Sequence, residues 1–559
     1  MGTHDNPGGD HTFDVVVIGS GAGGLAAGLT ARLRGLSSVV LEKTALYGGT
    51  TALSGGAVWM PASFHLAASG LDDSHAAGRA YLDATVGDRV PAARKEAYLT
   101  QGPRMLREFH DRTEVRFVHT DGYSDYYPER PGGLVRGRSV EPQVFDLNRL
   151  PAHERALLRR AALPTHGLTL TSYDFRYLNM ATRTWAGKRA CVRVGLRAAK
   201  ALATGSRPLS LGEALVARLR YSLGVHGGHL WLGTPMTRLL TDETGRVTGV
   251  RARHDGREVT FHARRGVVLA SGSFARNQRL REQHLPAPTR ADWSSAPEGN
   301  DGDGLLEGLR LGAAADLMDK VWGAPSVVVP GNPAPFFLVA DRGIPGMIVV
   351  DQQGDRYVNE AAPYHEFVDA MYAHRKKTGA ETAPSWLVLD ARSRARYVFM
   401  GLLPRQPFPR ELTGSGFVKK ARTLTELAAL MGAPAERFTR TVDRFNGFAR
   451  QAHDADFHRG ESAYDRYYGD PTLPNPNLAE LSRPPYYAVP VVPGDLGTKG
   501  GLRTDERARV LRADGTAIDG LYATGNASAA VMGETYPGPG ATIGPAMTFA
   551  YAAVDDMAG

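Results

Sequence analysis

Hydrophobic residues follow one another without interruption in two short stretches near the start of the chain, Val15–Ile18 and Val39–Leu41. Uninterrupted apolar runs of this length are typical of parallel strands that helices cover on both faces. The residues between the two runs are rich in alanine and leucine, and Gly35 is placed to end a helix there. The pattern therefore predicts a strand–helix–strand unit over residues 13–42.

A glycine-rich turn with GxGxxG spacing joins the first strand to this helix. Such glycines let the chain turn sharply, bring backbone N–H groups to a pyrophosphate and pack the helix closely on the strand. Glu42 ends the second strand, where a carboxylate can accept hydrogen bonds from ribose hydroxyls. An ordinary glycine turn would leave that acid unexplained, so the unit predicts a dinucleotide site. The residues assigned to it are Gly19, Ser20, Gly21, Ala22, Gly23, Gly24, Glu42 and Lys43.

A second glycine-rich loop, GGTTALSGG, follows Glu42 almost at once. It resembles the segment with which flavoproteins of the fumarate reductase and succinate dehydrogenase superfamily wrap the ribityl chain and isoalloxazine ring, and this resemblance favours FAD over NAD. A later buried strand with a glycine turn, the segment GLYATGN and the last predicted helix return to the same site. These segments add Gly49, Thr50, Thr51, Ser54, Gly55, Gly56, Ala270, Ser271, Gly272, Gly525, Asn526, Ala541, Thr542 and Ile543 to the predicted FAD site.

The chain of 559 residues is too long for one ordinary core, and its composition divides it. Residues 1–12 are polar and glycine-bearing, which predicts a disordered tail. Residues 281–485 are richer in proline and aromatic side chains and predict an inserted second domain. The α/β fold expected for the rest is a Rossmann-type FAD-binding domain in two parts, 13–280 and 486–559. Residues 145–208 are basic and helix-compatible, and no function is assigned to them.

Charge and cysteine content restrict the partners and the location. The chain has 66 basic and 58 acidic residues, without a run of basic residues interleaved with aromatics, so no nucleic-acid partner is predicted. No apolar stretch approaches the roughly 20 residues of a membrane span, although the positive charge allows attraction to a membrane surface. The single Cys191 excludes an internal disulfide and a cysteine-ligated cluster, which fits a cytoplasmic location. We expect Cys191 to be a small buried residue, and we expect no metal site.

A glycine- and proline-rich loop, TYPGPGATIG, precedes the last predicted helix. The positive N-terminal end of that helix would stabilise negative charge on a reduced flavin. The loop can also present the Tyr536 hydroxyl and the Gly540 backbone N–H as two donors to one oxygen. Two such donors are suited to a carbonyl that becomes an enolate.

Motifs along nearly the whole chain resemble those of the 3-ketosteroid Δ1-dehydrogenases, especially their longer members. They are GGTTALSGG, NEAAPY, DLGTKGGLRTD, ATGNASA and TYPGPGATIGPAMTF. The resemblance implies an inserted α+β catalytic domain and removal of two hydrogens from C1 and C2 of a 3-ketosteroid's A ring. It also implies that Tyr536 and Gly540 bind the C3 carbonyl, that Tyr364 takes the C2 proton with help from Tyr126, and that FAD N5 accepts hydride from C1.

The sequence leaves several alternatives open. His365, next to Tyr364, has a more convenient pKa for a base. Within the superfamily, the alternatives are a 3-ketosteroid Δ4-(5α)-dehydrogenase and a fumarate-reductase-like enzyme; outside catalysis, the alternative is a flavin-binding redox module without turnover. The sequence shows no second GxGxxG unit for a nicotinamide, so we expect a quinone or a redox protein to accept the electrons.

Overall fold

The computed structural model of the protein describes residues 9–161 and 167–559. In these ranges the strands are β1 (His11–Ile18), β2 (Ser38–Leu41), β3 (Val58–Trp59), β4 (Phe117–His119), β5 (Ser139–Pro142), β6 (Phe145–Asp146), β7 (Pro208–Leu209), β8 (His229–Trp231), β9 (Met236–Thr241), β10 (Val247–His254), β11 (Arg257–Leu269), β12 (Ala315–Asp316), β13 (Val321–Val327), β14 (Phe336–Phe337), β15 (Met347–Val350), β16 (Ser385–Asp390), β17 (Lys419–Ala421), β18 (Tyr486–Thr498), β19 (Gly501–Leu502), β20 (Arg509–Leu511) and β21 (Ala517–Ala523). The α-helices are α1 (Ala22–Leu33), α2 (Gly49–Ala52), α3 (Phe64–Ala68), α4 (His75–Thr85), α5 (Ala92–Arg112), α6 (Ala152–Arg155), α7 (Ser172–Leu178), α8 (Trp185–Thr204), α9 (Leu211–Val225), α10 (Gln278–His284), α11 (Asp303–Arg310), α12 (Tyr364–Thr378), α13 (Ala391–Arg396), α14 (Arg410–Gly414), α15 (Leu424–Met431), α16 (Ala435–Gln451), α17 (Ala463–Tyr467) and α18 (Ile543–Ala558).

The larger sheet has the strand order β20-β21-β11-β1-β2-β8, and β10 and β9 extend from β11. Strands β21, β11, β1, β2 and β8 run parallel to one another. Their apolar runs are buried on both faces, as parallel strands between helices require. The predicted strand–helix–strand unit is present as β1, α1 and β2. Strands from both chain ends meet in this sheet, which confirms the predicted α/β architecture.

A second, antiparallel sheet has the order β14-β13-β18-β16-β15, with β17 paired to β18. Strand β18 pairs with β13 and β16 along its length. The predicted boundary between residues 485 and 486 falls just before β18 and so assigns this strand to the wrong sheet. Helix α11, which the sequence placed in the inserted segment, packs instead on Leu502 in the core of the first sheet. Composition changes gradually along a chain, whereas strand pairing decides which sheet a segment joins.

Two further expectations differ from the structure. Strand β1 begins at His11, so the last two residues of the predicted tail are strand, while residues 1–8 of that tail lie outside the described residues. Cys191 is exposed on α8 and is not a core residue, because this helix buries Ala190 and Val194 instead. In the described part of the chain, no helix combines the length and apolar character that crossing a membrane requires.

The N-terminal ends of α1 and α18 lie side by side. A methyl group on Gly23 of α1 would approach the Ala546 carbonyl oxygen to 3.1 Å, so the two helices touch through backbone. The Thr524 hydroxyl, just after β21, donates to the same carbonyl oxygen at 2.7 Å. Two helix N-termini therefore face one region at the carboxyl ends of the parallel strands, where open α/β sheets bind ligands.

Candidate active site

The first glycine turn has the close backbone packing that the GxGxxG spacing predicts. Gly19 has φ +105°, and a side chain there would overlap the Ala270 backbone. A side chain on Gly24 would overlap the Gly19 carbonyl oxygen. At the start of α1, the Ala22 N–H donates to the Thr51 hydroxyl at 3.0 Å, and Gly21 leaves the helix without a side-chain cap. The turn and the helix end thus form a cradle for an anionic group.

Glu42 lies beside this turn at the end of β2, as predicted, but its carboxylate is already engaged. One oxygen accepts from the Ser20 hydroxyl at 2.6 Å and the Ser20 N–H at 3.2 Å. The other accepts from the hydroxyl and the N–H of Thr44, both at 2.9 Å. A carboxylate accepts about four hydrogen bonds, so a ribose hydroxyl would have to replace one of these donors. The Lys43 ammonium pairs with Asp301 and Asp303, which leaves its backbone to contact a cofactor.

The second glycine-rich loop lies against the first. Gly49 begins α2, and a side-chain methyl on it would come within 3.4 Å of the Gly21 Cα atom. The Ser54 hydroxyl donates to the Thr51 carbonyl at 2.7 Å and accepts from the Gly56 N–H at 3.0 Å, which closes the loop on itself. Thr50 and Gly55 complete this loop. The two glycine-rich segments therefore pack against each other, and their assignment to one FAD site stays a prediction.

The remaining predicted FAD residues follow strands of the same sheet or precede α18. Ala270, after β11, donates its N–H to the Ile18 carbonyl at 2.8 Å. A small cavity is lined by Asn526, Ala541 and Thr542, together with Trp322 and Arg94. The residues beside these positions in the predicted set are Ser271, Gly272, Gly525 and Ile543. Uncapped helix ends and backbone cradles fit the pyrophosphate of FAD.

Replacing Gly24 with alanine should weaken FAD binding about tenfold to 100-fold, because the new methyl group displaces the Gly19 carbonyl at the phosphate turn. The measurement is the FAD content of the purified protein together with FAD titration of the apoprotein. Gly447→Ala is the matched control, since no atom lies within 4 Å of a methyl group placed there. Equal FAD affinity in the two variants would contradict the assignment of this turn.

Three tyrosines that are far apart in the sequence meet in one buried cluster. The Tyr126 ring centre lies 5.5 Å from that of Tyr364 and 5.2 Å from that of Tyr536. The Tyr364 and Tyr536 ring centres are 5.4 Å apart. Each side chain is at most 5% exposed. Helix α12 begins at Tyr364, whereas the other two tyrosines lie on loops. We call this group the tyrosine triad.

The loop before α18 is held by hydrogen bonds to its carbonyl groups. The Pro537 carbonyl accepts from the Tyr81 hydroxyl at 2.6 Å and from the Tyr126 N–H at 2.9 Å. The Ser139 hydroxyl donates to the Pro539 carbonyl at 2.6 Å. Gly540 then adopts φ +92° against the Ala57 backbone, where a side chain would not fit. The loop therefore presents Tyr536 and Gly540 from a fixed backbone.

The segment that carries Tyr126 is also held in place, by contacts of the preceding residue. The preceding residue, Asp125, accepts from the Trp59 indole N–H at 2.7 Å and pairs with the fully buried Arg138. The Tyr126 hydroxyl is buried and forms no hydrogen bond of normal geometry with the described residues. Burial raises the pKa of Tyr126 and of Tyr364 well above the ordinary tyrosine value. Both phenols are therefore neutral at neutral pH, and the Tyr126 hydroxyl is available as a donor.

His365 is buried next to Tyr364 but has a different partner. Its Nε2 atom lies 2.8 Å from the Tyr127 hydroxyl. Burial lowers the pKa of His365 well below its ordinary value, so the ring is neutral at neutral pH. The ring packs 5.7 Å from that of Tyr536, centre to centre. His365 therefore packs against the tyrosine triad while its Nε2 atom is engaged by the Tyr127 hydroxyl.

Sequence reasoning missed other aromatic residues that form the site. The ring centre of Tyr464 in α17 lies 4.8 Å from that of Tyr126. The Tyr464 hydroxyl is buried and has no hydrogen-bond partner among the described residues. Trp322 of β13 packs edge to face on Tyr536 at 4.8 Å and donates its indole N–H to Asn526. Phe337 packs on Tyr364 at 5.0 Å. These residues have no local motif, because only the folded inserted segment brings them to the loop.

Known proteins resemble this chain over nearly its full length. Residues 14–543 match the FAD binding domain family. The chain is 46% identical to the 3-oxosteroid 1-dehydrogenase of Mycolicibacterium smegmatis, over 98% of this chain and 97% of that one. It is 47% identical to the enzyme of the same name from Mycobacterium tuberculosis, over 98% and 99%.

A solved structure is similar along the whole chain. The 3-ketosteroid Δ1-dehydrogenase of Sterolibacterium denitrificans, in complex with 1,4-androstadiene-3,17-dione, matches with a TM-score of 0.93 and 40% identity, and the match covers 98% of this chain and 99% of that one. With such similarity over nearly its full length, this chain belongs to the 3-ketosteroid Δ1-dehydrogenase (3-oxosteroid 1-dehydrogenase) family of FAD-containing oxidoreductases.

Proposed function

We propose that this protein desaturates the C1–C2 bond in the A ring of 3-ketosteroids in steroid catabolism, with FAD as its cofactor. The observation that carries the proposal is the buried tyrosine triad in front of α18, next to the predicted FAD residues. In this proposal the two-part sheet domain holds FAD, and the inserted segment supplies Tyr364 and the walls of the steroid pocket.

Tyr536 and Gly540 act on the ketone oxygen at C3. The Tyr536 hydroxyl and the Gly540 N–H are presented by the same fixed loop, and that N–H makes no hydrogen bond within the described residues. As the C2 proton leaves, negative charge grows on the ketone oxygen, and two preorganised donors stabilise the resulting enolate. The apolar rings around the oxygen strengthen this interaction by excluding water.

Tyr364 removes the proton from C2, and Tyr126 assists it. The phenolate form of Tyr364 is the base, and the raised pKa leaves little of that form at neutral pH, so the reaction needs two sources of help. The enolate-stabilising donors make the C2–H more acidic, and the otherwise unpaired Tyr126 hydroxyl can donate to the phenolate that remains once Tyr364 has lost its own proton to solvent. Taking the C2 proton then returns Tyr364 to the neutral phenol. When bound, FAD supplies the acceptor for the hydrogen that leaves C1 as hydride.

The other activities found within the superfamily fit the site less well. A fumarate-reductase-like site clamps carboxylates with arginine and histidine, whereas the donors here are a tyrosine hydroxyl and a backbone N–H facing aromatic rings. A Δ4-(5α)-dehydrogenase would bind the ketone oxygen with the same kind of donors. It would differ in where the steroid lies above the flavin. The position of the new double bond separates these two activities.

Anaerobic mixing of the yellow protein with androst-4-ene-3,17-dione tests the proposal. Bleaching of the flavin absorbance, with a product that has lost hydrogens from C1 and C2 by mass and NMR, is the expected result. A 5α-reduced 3-ketosteroid that gains a C4–C5 double bond instead would identify the Δ4 activity. Absence of bleaching with either steroid would contradict steroid oxidation and favour a redox module without turnover.

We further infer that the cytoplasmic protein touches a membrane surface, where a quinone or a redox protein would accept the electrons. The support comes from α8, whose Trp185, Val192 and Leu196 share one face and are 75%, 63% and 67% exposed. The helix has five basic and no acidic side chains. Basic helices with an exposed apolar face are suited to lie at an anionic lipid surface.

The double substitution of Trp185 and Leu196 by serine should weaken binding to vesicles that contain an anionic phospholipid about tenfold, because two apolar side chains no longer enter the lipid. Vesicle co-sedimentation at low and high salt measures the change. Leu430→Ser, which removes an exposed leucine from α15, is the control and should bind as the unsubstituted protein does. Unchanged binding of the double variant would exclude α8 as the contact.

A further inference from the structure

Lys499 lies directly behind the loop that presents Tyr536. It follows β18, and it is 2% exposed. Its ammonium group donates to the carbonyl oxygens of Glu534 and Thr535, the second at 2.9 Å. These are the two carbonyl groups that precede Tyr536 in the chain. Lys499 therefore holds the backbone from which the Tyr536 side chain departs.

The same ammonium group also supports Tyr536 through Trp322. The Lys499 Nζ atom is 4.8 Å from the centre of the Trp322 ring, a cation–π distance. That ring packs edge to face on Tyr536 at 4.8 Å. Its indole N–H donates to the Asn526 side chain at 3.1 Å, on the predicted FAD side of the loop. One cation thus fixes both the backbone and the aromatic neighbour of Tyr536.

A buried lysine in this place is costly for folding alone. No carboxylate in the described ranges comes within ion-pair distance of its ammonium group. Asp369 of α12 and the Glu534 carboxylate act on it only from further away, and Lys320 opposes them. Burial lowers the pKa of Lys499 to about 7. A buried lysine without a close ion pair costs folding free energy, and groups with strongly shifted pKa values cluster at functional sites.

We infer that Lys499 is a positioning residue of the desaturation reaction, which holds the Tyr536 hydroxyl and the Gly540 N–H in register with the ketone oxygen. This inference rests on the proposed function. Lys320 differs in kind, because its side chain is 35% exposed and its ammonium group reaches the Glu534 carboxylate at 3.1 Å instead of the carbonyls before Tyr536. Because Lys320 contacts the same loop from outside, through the Glu534 side chain, it is a matched control.

The test compares Lys499→Met, Lys499→Arg and Lys320→Met as FAD-loaded proteins in anaerobic single-turnover reduction by androst-4-ene-3,17-dione. Misplacing the two donors should slow reduction by Lys499→Met about 100-fold at saturating steroid. Proton removal from C2 should also become more rate-limiting, so the isotope effect of C2-deuterated steroid rises relative to that of C1-deuterated steroid. Lys499→Arg should react about tenfold faster than Lys499→Met. The reduction rate of Lys320→Met should stay within about twofold of that of the original protein.

Each outcome bears on one conclusion. Rates for Lys499→Met that match those of Lys320→Met, or a slower reaction with an unchanged C2 isotope effect, would overturn the positioning role. If Lys499→Met does not retain FAD, Lys499→Gln is measured in the same way, because its amide still donates hydrogen bonds but carries no charge. Failure of the original protein to reduce its flavin with any 3-ketosteroid would overturn the proposed function instead.

Discussion

Replacing Tyr364 with phenylalanine should lower the rate of anaerobic flavin reduction by androst-4-ene-3,17-dione about 1000-fold, because the variant lacks the group proposed to take the C2 proton. The ring itself is retained, so its edge-to-face packing with Tyr126, Tyr536 and Phe337 should persist. We therefore expect normal FAD content and near-normal steroid affinity. Stopped-flow absorbance gives the rate, and flavin difference spectra give the affinity.

Tyr397→Phe is the control for the loss of a buried tyrosine hydroxyl. Tyr397 is 1% exposed and donates to Asp470 at 2.7 Å in the inserted segment, outside the triad. Its substitution should affect stability more than the rate of reduction. If Tyr364→Phe keeps more than about a tenth of the rate, another group takes the proton, and His365 would be the first to test.

The pH dependence provides an independent check on Tyr364. Burial raises its pKa, so the neutral phenol predominates at neutral pH and the basic phenolate fraction grows as the pH rises toward the folded-state pKa. The rate of reduction should therefore increase with pH from neutral into the alkaline range. Tyr126→Phe should lower the rate, because the phenolate loses its proposed hydrogen-bond donor. A rate that falls over this range would favour a protonated group instead.

The sequence predicted the FAD side of the site better than the steroid side. Gly19, Gly24 and Glu42 belong to one continuous strand–helix–strand unit, and their relative positions follow from local spacing alone. Tyr126 and Tyr364 belong to different segments, so only the resemblance to a known family connected them. The network that engages Glu42 was not foreseeable, because its Thr44 donors come from a turn that periodicity does not describe.

Residues contributed by the inserted segment show the same limit. Trp322 lies in β13 of the second sheet, and Tyr464 lies in the short helix α17 near the end of the inserted segment. Both reach the triad because β13 pairs with β18 and the segment folds back on the loop before α18. Compositional boundaries misplaced β18 for the same physical reason, since pairing between distant strands leaves no mark on local composition. The motif DLGTKGGLRTD contains Lys499, but nothing in the sequence indicated that its side chain is buried behind the loop that carries Tyr536.

Substituting Gly540 with alanine should reduce the rate of flavin reduction about 1000-fold while FAD remains bound. Gly540 has φ +92°, and an added methyl group would overlap the Ala57 backbone next to β3. The loop must move to relieve this overlap, and both proposed ketone donors, the Gly540 N–H and the Tyr536 hydroxyl, move with it. The loss of one preorganised oxyanion donor costs roughly 100-fold to 1000-fold, so misplacing two justifies the larger value.

Gly533→Ala separates this effect from the general cost of alanine at a positive φ angle. Gly533 precedes the same loop with φ +57°, yet a methyl group there meets Val86 and Val90 at 3.4 Å, an ordinary contact distance. Both variants carry backbone strain of about 1 kcal/mol, but only Gly540→Ala should show a large decrease in the rate of flavin reduction. Affinity for a steroid with a phenolic A ring, whose oxygen resembles that of the enolate, should fall in parallel with the rate in Gly540→Ala. Equal rates in the two alanine variants would show that Gly540 serves the turn alone, and the ketone would then depend on Tyr536.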